Sequence, residues 1–234
     1  MGPGASDTAL VDVLATLPRE RLEALLAGEP ARAAPWVSAA AHFGLPAAQL
    51  RLGRMLLEGE GFARDQTQAL AWFRRAADQD EPEAQNMVGR CLENGWGAVA
   101  DIAEAARCYV RAAEAGSAWA QYNLGHLLLD GLGAPRDLAA AYASYRRAAD
   151  QGHPRAMNLV GRCHEEGWGV ARDAAEARAW YQRSAEAGYF RGQYNLASVL
   201  AADGLAAEAR RWFEAALAGA PEASRVVMTR AAPC

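Results

Sequence analysis

Lysine is missing from this chain: all 24 basic residues are arginine. That absence excludes a phosphate-binding-loop lysine and a Schiff-base lysine, so two common routes to catalysis are closed. No basic block exists and the net charge is −4, which argues against nucleic acid as a partner. No run of roughly 18 apolar residues offers a membrane span. The first residues, Met-Gly-Pro-Gly-Ala-Ser-Asp, carry no basic segment and no apolar core of a secretory signal. Only four cysteines occur. Cys91 and Cys163 hold equivalent positions too far apart in the chain's repeat pattern for a disulfide, Cys108 lies on a different helix, and Cys234 is terminal. Reduced thiols and a cytoplasmic location are expected.

What the chain does have is a period. Gly53, Gly89, Gly125 and Gly161 lie 36 residues apart, and so do Asp65, Asp101, Asp137 and Asp173. The same step links Gly59, Gly95, Gly131 and Gly167, then Gly61, Gly97, Gly133 and Gly169, then Ala69, Ala105, Ala141 and Ala177. A fixed period in this range marks a repeat array, whose units pack on their neighbours and present an extended surface.

One period reads as a helical hairpin. In residues 83–94, Ala84, Met87, Val88, Cys91 and Leu92 share one face at helical spacing. Gly95 stops that helix and Gly97 permits a second tight turn. Asp101 stands where an N-cap belongs, and Glu104 three residues on predicts a capping box. A second helix then runs over about 102–115, with Gly116 ending it. Gly89 inside the first helix costs about 1 kcal/mol against Ala. Its recurrence predicts a close approach of the partner helix.

The expected fold is all-α: a right-handed α-solenoid of stacked hairpins. Residues 1–45 are read as N-terminal capping helices, at 7–17 and 18–26, with a degenerate half-repeat over 30–45. Residues 46–220 form about five repeats. Residues 221–234 form a C-terminal capping helix and tail. The fifth repeat is altered: Ala197 replaces the glycine, and Trp212-Phe213 follows Trp180-Tyr181 by 32 residues rather than 36.

The stretch from Ala120 to Asp137, reading Ala-Gln-Tyr-Asn-Leu-Gly-His-Leu-Leu-Leu-Asp-Gly-Leu-Gly-Ala-Pro-Arg-Asp, and the later Ala148-Ala-Asp-Gln-Gly152 resemble the Sel-one-like repeat family, relatives of the tetratricopeptide repeats. The resemblance covers about residues 47–218. Arg75, Arg111 and Arg147 stand where the family pattern usually has Lys. The cysteine pattern of its secreted, disulfide-stapled members is absent. The resemblance implies protein–protein scaffolding, often in bacterial signalling or envelope-related pathways.

If the hairpins stack as in tetratricopeptide arrays, outer positions of each first helix line a concave face. One row is Leu50, Asn86, Tyr122, Asn158 and Tyr194; the next is Arg54, Arg90, His126, Arg162 and Ser198; a third is Leu57, Glu93, Leu129, Glu165 and Ala201. The expected protein-binding residues are Asn86, Arg90, Glu93, Tyr122, His126, Asn158, Arg162, Glu165 and Tyr194. Arginine and asparagine can hold a peptide backbone or a carboxylate, and tyrosine adds apolar contact, so the partner is a protein or peptide, possibly acidic. The competing reading is a solvated helix face with a weak Arg90–Glu93 pair. Trp96 and Trp168 either anchor a partner or fold back over the helix ends, the commoner outcome. Cys91, His126, Cys163 and His164 have zinc-binding chemistry but not zinc spacing, and no metal or cofactor is expected. His42 and His153, near inter-repeat turns, read as structural. No nucleophile–base–acid arrangement is legible, so the chain is read as a non-enzymatic adaptor or scaffold. The alternative is the regulatory subunit of an enzyme or, less favoured, an enzyme itself.

Overall fold

The structure, a computed structural model, describes residues 18–230. The helix expected over 7–17 and Cys234 lie outside the described residues. Among the described residues there are thirteen helices and no strand. The chain opens with α1 (Arg19–Ala27) and α2 (Pro30–His42). Five hairpins follow: α3 (Pro46–Glu58) with α4 (Gln66–Ala77), α5 (Pro82–Asn94) with α6 (Ile102–Glu114), α7 (Ala118–Asp130) with α8 (Leu138–Asp150), α9 (Pro154–Glu166) with α10 (Ala174–Glu186), and α11 (Phe190–Ala202) with α12 (Ala206–Gly219). The last helix is α13 (Glu222–Arg230). Stacked hairpins of this kind make an α-solenoid.

The chain forms two compact units, one ending at Ser117 and one starting at Ala118. In the first unit, α3 packs on α2 and α4, and α5 packs on α4 and α6. In the second, α9 packs on α8 and α10, and also touches α11, one first helix against the next.

The hairpin geometry follows from a few repeated residues. Proline opens α3, α5 and α9, where its missing N–H is no loss. Gly59, Gly95 and Gly167 close those helices in the left-handed region, at φ of 81°, 71° and 76°. Asp65, Asp101, Asp137 and Asp173 then cap α4, α6, α8 and α10, each accepting a backbone N–H of the first turn. The capping box is only half made. The backbone N–H of Asp101 already donates to Leu92 O at 2.9 Å, so it has no need of Glu104. Glu104 turns instead to Arg107. The same backward bond joins Asp65 to Leu56, Asp137 to Leu128 and Asp173 to His164.

The glycine inside each first helix faces an aromatic ring from the second. A Cβ added at Gly53 would stand 2.5 Å from the Phe73 ring; at Gly89, 2.7 Å from Tyr109; at Gly125, 2.5 Å from Tyr145; at Gly161, 2.7 Å from Tyr181. Those four rings are the largest fully buried side chains of the fold. In the fifth hairpin Ala197 is buried at the glycine's place. Phe213 packs elsewhere, with Phe190, Tyr194 and Leu217 against Ala216, Ala220 and Met228. This second cluster ties α13 to the end of the array.

A third device joins successive repeats. Gly97 rests so close to the Gln66 carbonyl that no side chain fits, and Gly169 meets the Leu138 carbonyl in the same way. The glycine loop of one repeat thus lies on the start of the second helix of the repeat before it.

Candidate protein-binding site

Five of the expected binding residues converge in the second unit. Tyr122 and His126 from α7, Asn158 and Arg162 from α9 and Tyr194 from α11 border one open cavity of about 490 Å³. Tyr189, Phe190, Arg155 and Arg191 complete its polar and aromatic rim. Ala223, Ser224, Val227 and Met228 of α13 form an apolar wall.

The cavity carries charge of one sign. Arg155, Arg162 and Arg191 line it, and no aspartate or glutamate does. Among the described residues none of these three arginines has an ion-pair partner. Each lies on an aromatic face instead. The Arg162 guanidinium stands 4.8 Å from the Trp168 ring, Arg155 stands 5.5 Å from Trp119 and 5.9 Å from Tyr189, and Arg191 stands 5.7 Å from Phe190. Such contacts position a cation without neutralising it. Arg155 and Arg191 also sit in the first turns of α9 and α11, where no acidic residue balances them. A cation there opposes the helix dipole. Burial pushes the Tyr122 phenol above its ordinary pKa, with Tyr189 adding to the effect and Arg155 opposing it.

The floor of the cavity is fixed by its own hydrogen bonds and ring contacts. Asn158 is only 4% exposed, and its Oδ1 accepts from Asn195 Nδ2 at 2.8 Å. His126 stands edge-on to Tyr122 and Tyr145, at 4.6 and 5.4 Å between ring centres. Beside it, His153 caps α9: its Nδ1 accepts the Ala156 N–H at 3.2 Å. Trp119 and Tyr122 close over that imidazole, 4.4 and 4.9 Å away. Burial, helped by Arg155, lowers the His153 pKa to about 4, so the ring is neutral and can serve as the cap acceptor.

The remaining expected residues have other surroundings. Asn86 is 3% exposed on α5. Arg90 lies over the Trp96 ring at 5.4 Å and reaches Met87 Sδ. Glu93 and Glu165 turn toward their own hairpins: Glu93 accepts the Tyr109 hydroxyl and Glu165 the Tyr181 hydroxyl, both at 2.6 Å. Burial and then these carboxylates push both phenols far above their usual pKa. The row thus supplies an acceptor to Tyr109 and Tyr181, and none is needed by Phe73 behind Leu57. Tyr145, opposite Leu129, keeps its buried hydroxyl without a hydrogen-bond partner. Trp96 and Trp168 fold back, each half-buried under an arginine, and Trp168 packs on the core.

Cys91 and Cys163 occupy core positions, and burial raises both thiols to about 11. Among the described residues no group of three His, Cys, Asp or Glu side chains could hold a metal, and no helix is long and apolar enough to cross a membrane.

The Sel1 repeat profile matches residues 46–81, 82–117, 120–153 and 154–189, more than half of the chain. The chain belongs to the Sel1 repeat family. Sel1 repeat proteins generally mediate protein–protein interactions, and the fold is typically a non-catalytic scaffold. A Sel1 repeat protein from Oxalobacter formigenes shares 29% identity and a TM-score of 0.78, over 86% of this chain and 84% of that one. A protective antigen of uropathogenic Escherichia coli with an SLR fold shares 29% identity and a TM-score of 0.72, over 90% of this chain and 45% of that one. The chain thus spans less than half of that antigen's length. An immunity protein of Pseudomonas aeruginosa, at 18% identity and a TM-score of 0.55 over 74% of this chain and 66% of that one, shares the fold alone. No curated protein matches the chain.

The four rim residues of this Sel1 array that sequence rows omitted are Arg155, Tyr189, Phe190 and Arg191. For the two arginines a signal lay one turn earlier in the same register: Ala47, Glu83, Trp119, Arg155 and Arg191 also step by 36 residues.

Proposed function

We propose that this Sel1 repeat protein is a non-enzymatic adaptor that holds a segment of another protein on the face made by the first helices of its hairpins. Tyr122, His126, Asn158, Arg162 and Tyr194 are the direct contacts, joined by Arg155 and Arg191. In the first unit Arg90 holds the same register, while Asn86 is buried and Glu93 serves the Tyr109 hydroxyl. Residues 46–220 act as a five-repeat array between terminal caps at 1–45 and 221–234. The protein works in a reducing bacterial cytoplasm, a reading supported by three buried free thiols, Cys91, Cys108 and Cys163.

The observation that carries this reading is the single-sign cavity: three guanidinium groups, aromatic walls and no carboxylate in its lining. An acidic segment neutralises those arginines and covers the rings, and its affinity falls as salt rises. The test is the double variant Arg155→Ala, Arg162→Ala, shown by circular dichroism to stay folded. Crosslinking in source cells should trap a partner at the α7–α9–α11 face of the native protein and lose it in the variant. Undiminished trapping at that face would remove the arginines from the site.

A further inference from the structure

The cavity also has internal spacing. Arg155 and Arg162 lie on one helix, seven residues apart, which places them about 10 Å apart along α9. Arg191 holds the same register position as Arg155 on the adjoining α11. The rim therefore has two cationic ends, Arg155 with Arg191 at one and Arg162 at the other. Between them lie Tyr122 and Tyr194, and Val227 and Met228 face them from α13. Val227 is 66% exposed, so its side chain is open to contact.

We infer that this groove selects an extended segment whose two acidic side chains, three positions apart, bracket an apolar pair. The inference rests on the proposed binding role and adds a spacing rule to it. Three residues of polyproline-type chain advance about 9 Å and return to the same side, which matches the distance between the two cationic ends. The first carboxylate meets Arg155 and Arg191, the second meets Arg162, and the apolar pair lies on the tyrosines and Val227. Arginines held on aromatic rings are already near their bound geometry, so little ordering is left for the ligand to impose.

The experiment uses two peptides of identical composition, each with a dye on its N-terminal amine and an amidated C-terminus. One reads Gly-Glu-Leu-Phe-Glu-Gly and the other Gly-Leu-Glu-Glu-Phe-Gly. Fluorescence polarisation with the full chain should show the spaced peptide binding about tenfold tighter. Arg155→Gln with Arg191→Gln should erase that preference, and Gln in place of the first Glu should then cost nothing more. Equal affinity for the two peptides, or a preference that survives the arginine substitutions, overturns the inference. Binding of neither peptide also overturns it. The adaptor role fails separately, if crosslinked capture of the cellular partner is untouched by Arg155→Ala with Arg162→Ala.

Discussion

At one register position the two halves of the chain carry opposite charge. In the first unit that position is Glu83, which accepts the Ser117 hydroxyl at 2.6 Å. In the second it is Arg155 and again Arg191, and the neighbours at the Ser117 position are His153 and Tyr189. An acid–hydroxyl pair has become a guanidinium–aromatic pair on the same backbone. Two of the cavities differ as well. One in the first unit, about 450 Å³ between α4, α5 and α6, mixes Arg74 and Arg111 with Asp78, Asp80, Glu81 and Glu104. The groove of Arg155, Arg162 and Arg191 in the second unit has only cations among its charged lining residues. Hairpin geometry is shared while surface chemistry is set locally, so the Sel1 scaffold leaves each half free to acquire its own recognition.

The scaffold half of that comparison breaks most visibly at the internal glycines. Gly89→Leu in the first unit and Gly125→Leu in the second should each cost about 1–3 kcal/mol, since a branched side chain must displace a buried ring. Calorimetry should record thermal midpoints lower by several degrees for both, and a smaller fall for Trp96→Ala. Unchanged midpoints would mean the rings yield without cost.

Next comes the charge contrast. Arg155→Glu with Arg191→Glu should weaken an acidic peptide by about 100-fold, whereas Glu83→Arg leaves it unchanged. Isothermal titration at two salt concentrations measures both; equal losses would erase the distinction between the halves.

The His153 cap predicts a pH response confined to the second unit. Its folded pKa, about 4, lies below the unfolded value of 6.5. The unfolded chain binds the proton more readily between those values, so stability is whole above about pH 6.5 and declines as pH falls toward 4. The thermal midpoint should drop by a few degrees from pH 7 to pH 5. His153→Asn keeps a cap acceptor and should flatten that slope.

The smallest effects sharpen the comparison among rings. Tyr109→Phe and Tyr181→Phe should each cost about 1 kcal/mol, because each hydroxyl serves a carboxylate. Tyr145→Phe should change stability by less than about 0.5 kcal/mol, and Leu129→Glu should supply the missing acceptor. Chemical denaturation of the four variants orders them; a Tyr145→Phe loss as large as those of Tyr109→Phe and Tyr181→Phe would show that its hydroxyl is served after all.

The hairpins were legible because their signals are local. Gly95, Asp101 and the apolar spacing of residues 84–92 each act within one turn of the chain, and the helices begin and end within a residue or two of where those signals put them. Gly89 announced a close approach, but not that a tyrosine ring would fill it. The Glu93–Tyr109 bond spans sixteen residues and two helices, so a row read along one helix made Glu93 look outward-facing. Arg155 and Arg191 were hidden for another reason. A polar side chain at a helix start usually reads as a solvated end, and only the tertiary fold brings α13 across to turn that end into a wall.

The glycine loops impose a direction on assembly. Gly97 settles against the Gln66 carbonyl, and Gly169 against that of Leu138, so each such loop docks on its predecessor. Synthesis delivers the predecessor first. A ribosome-bound array can therefore consolidate one hairpin at a time behind the growing end, every new loop docking on a finished surface. The same keying means that removing a repeat from the N-terminal side strips a docking surface from the next. Trimming from the C-terminal side leaves every remaining loop supported.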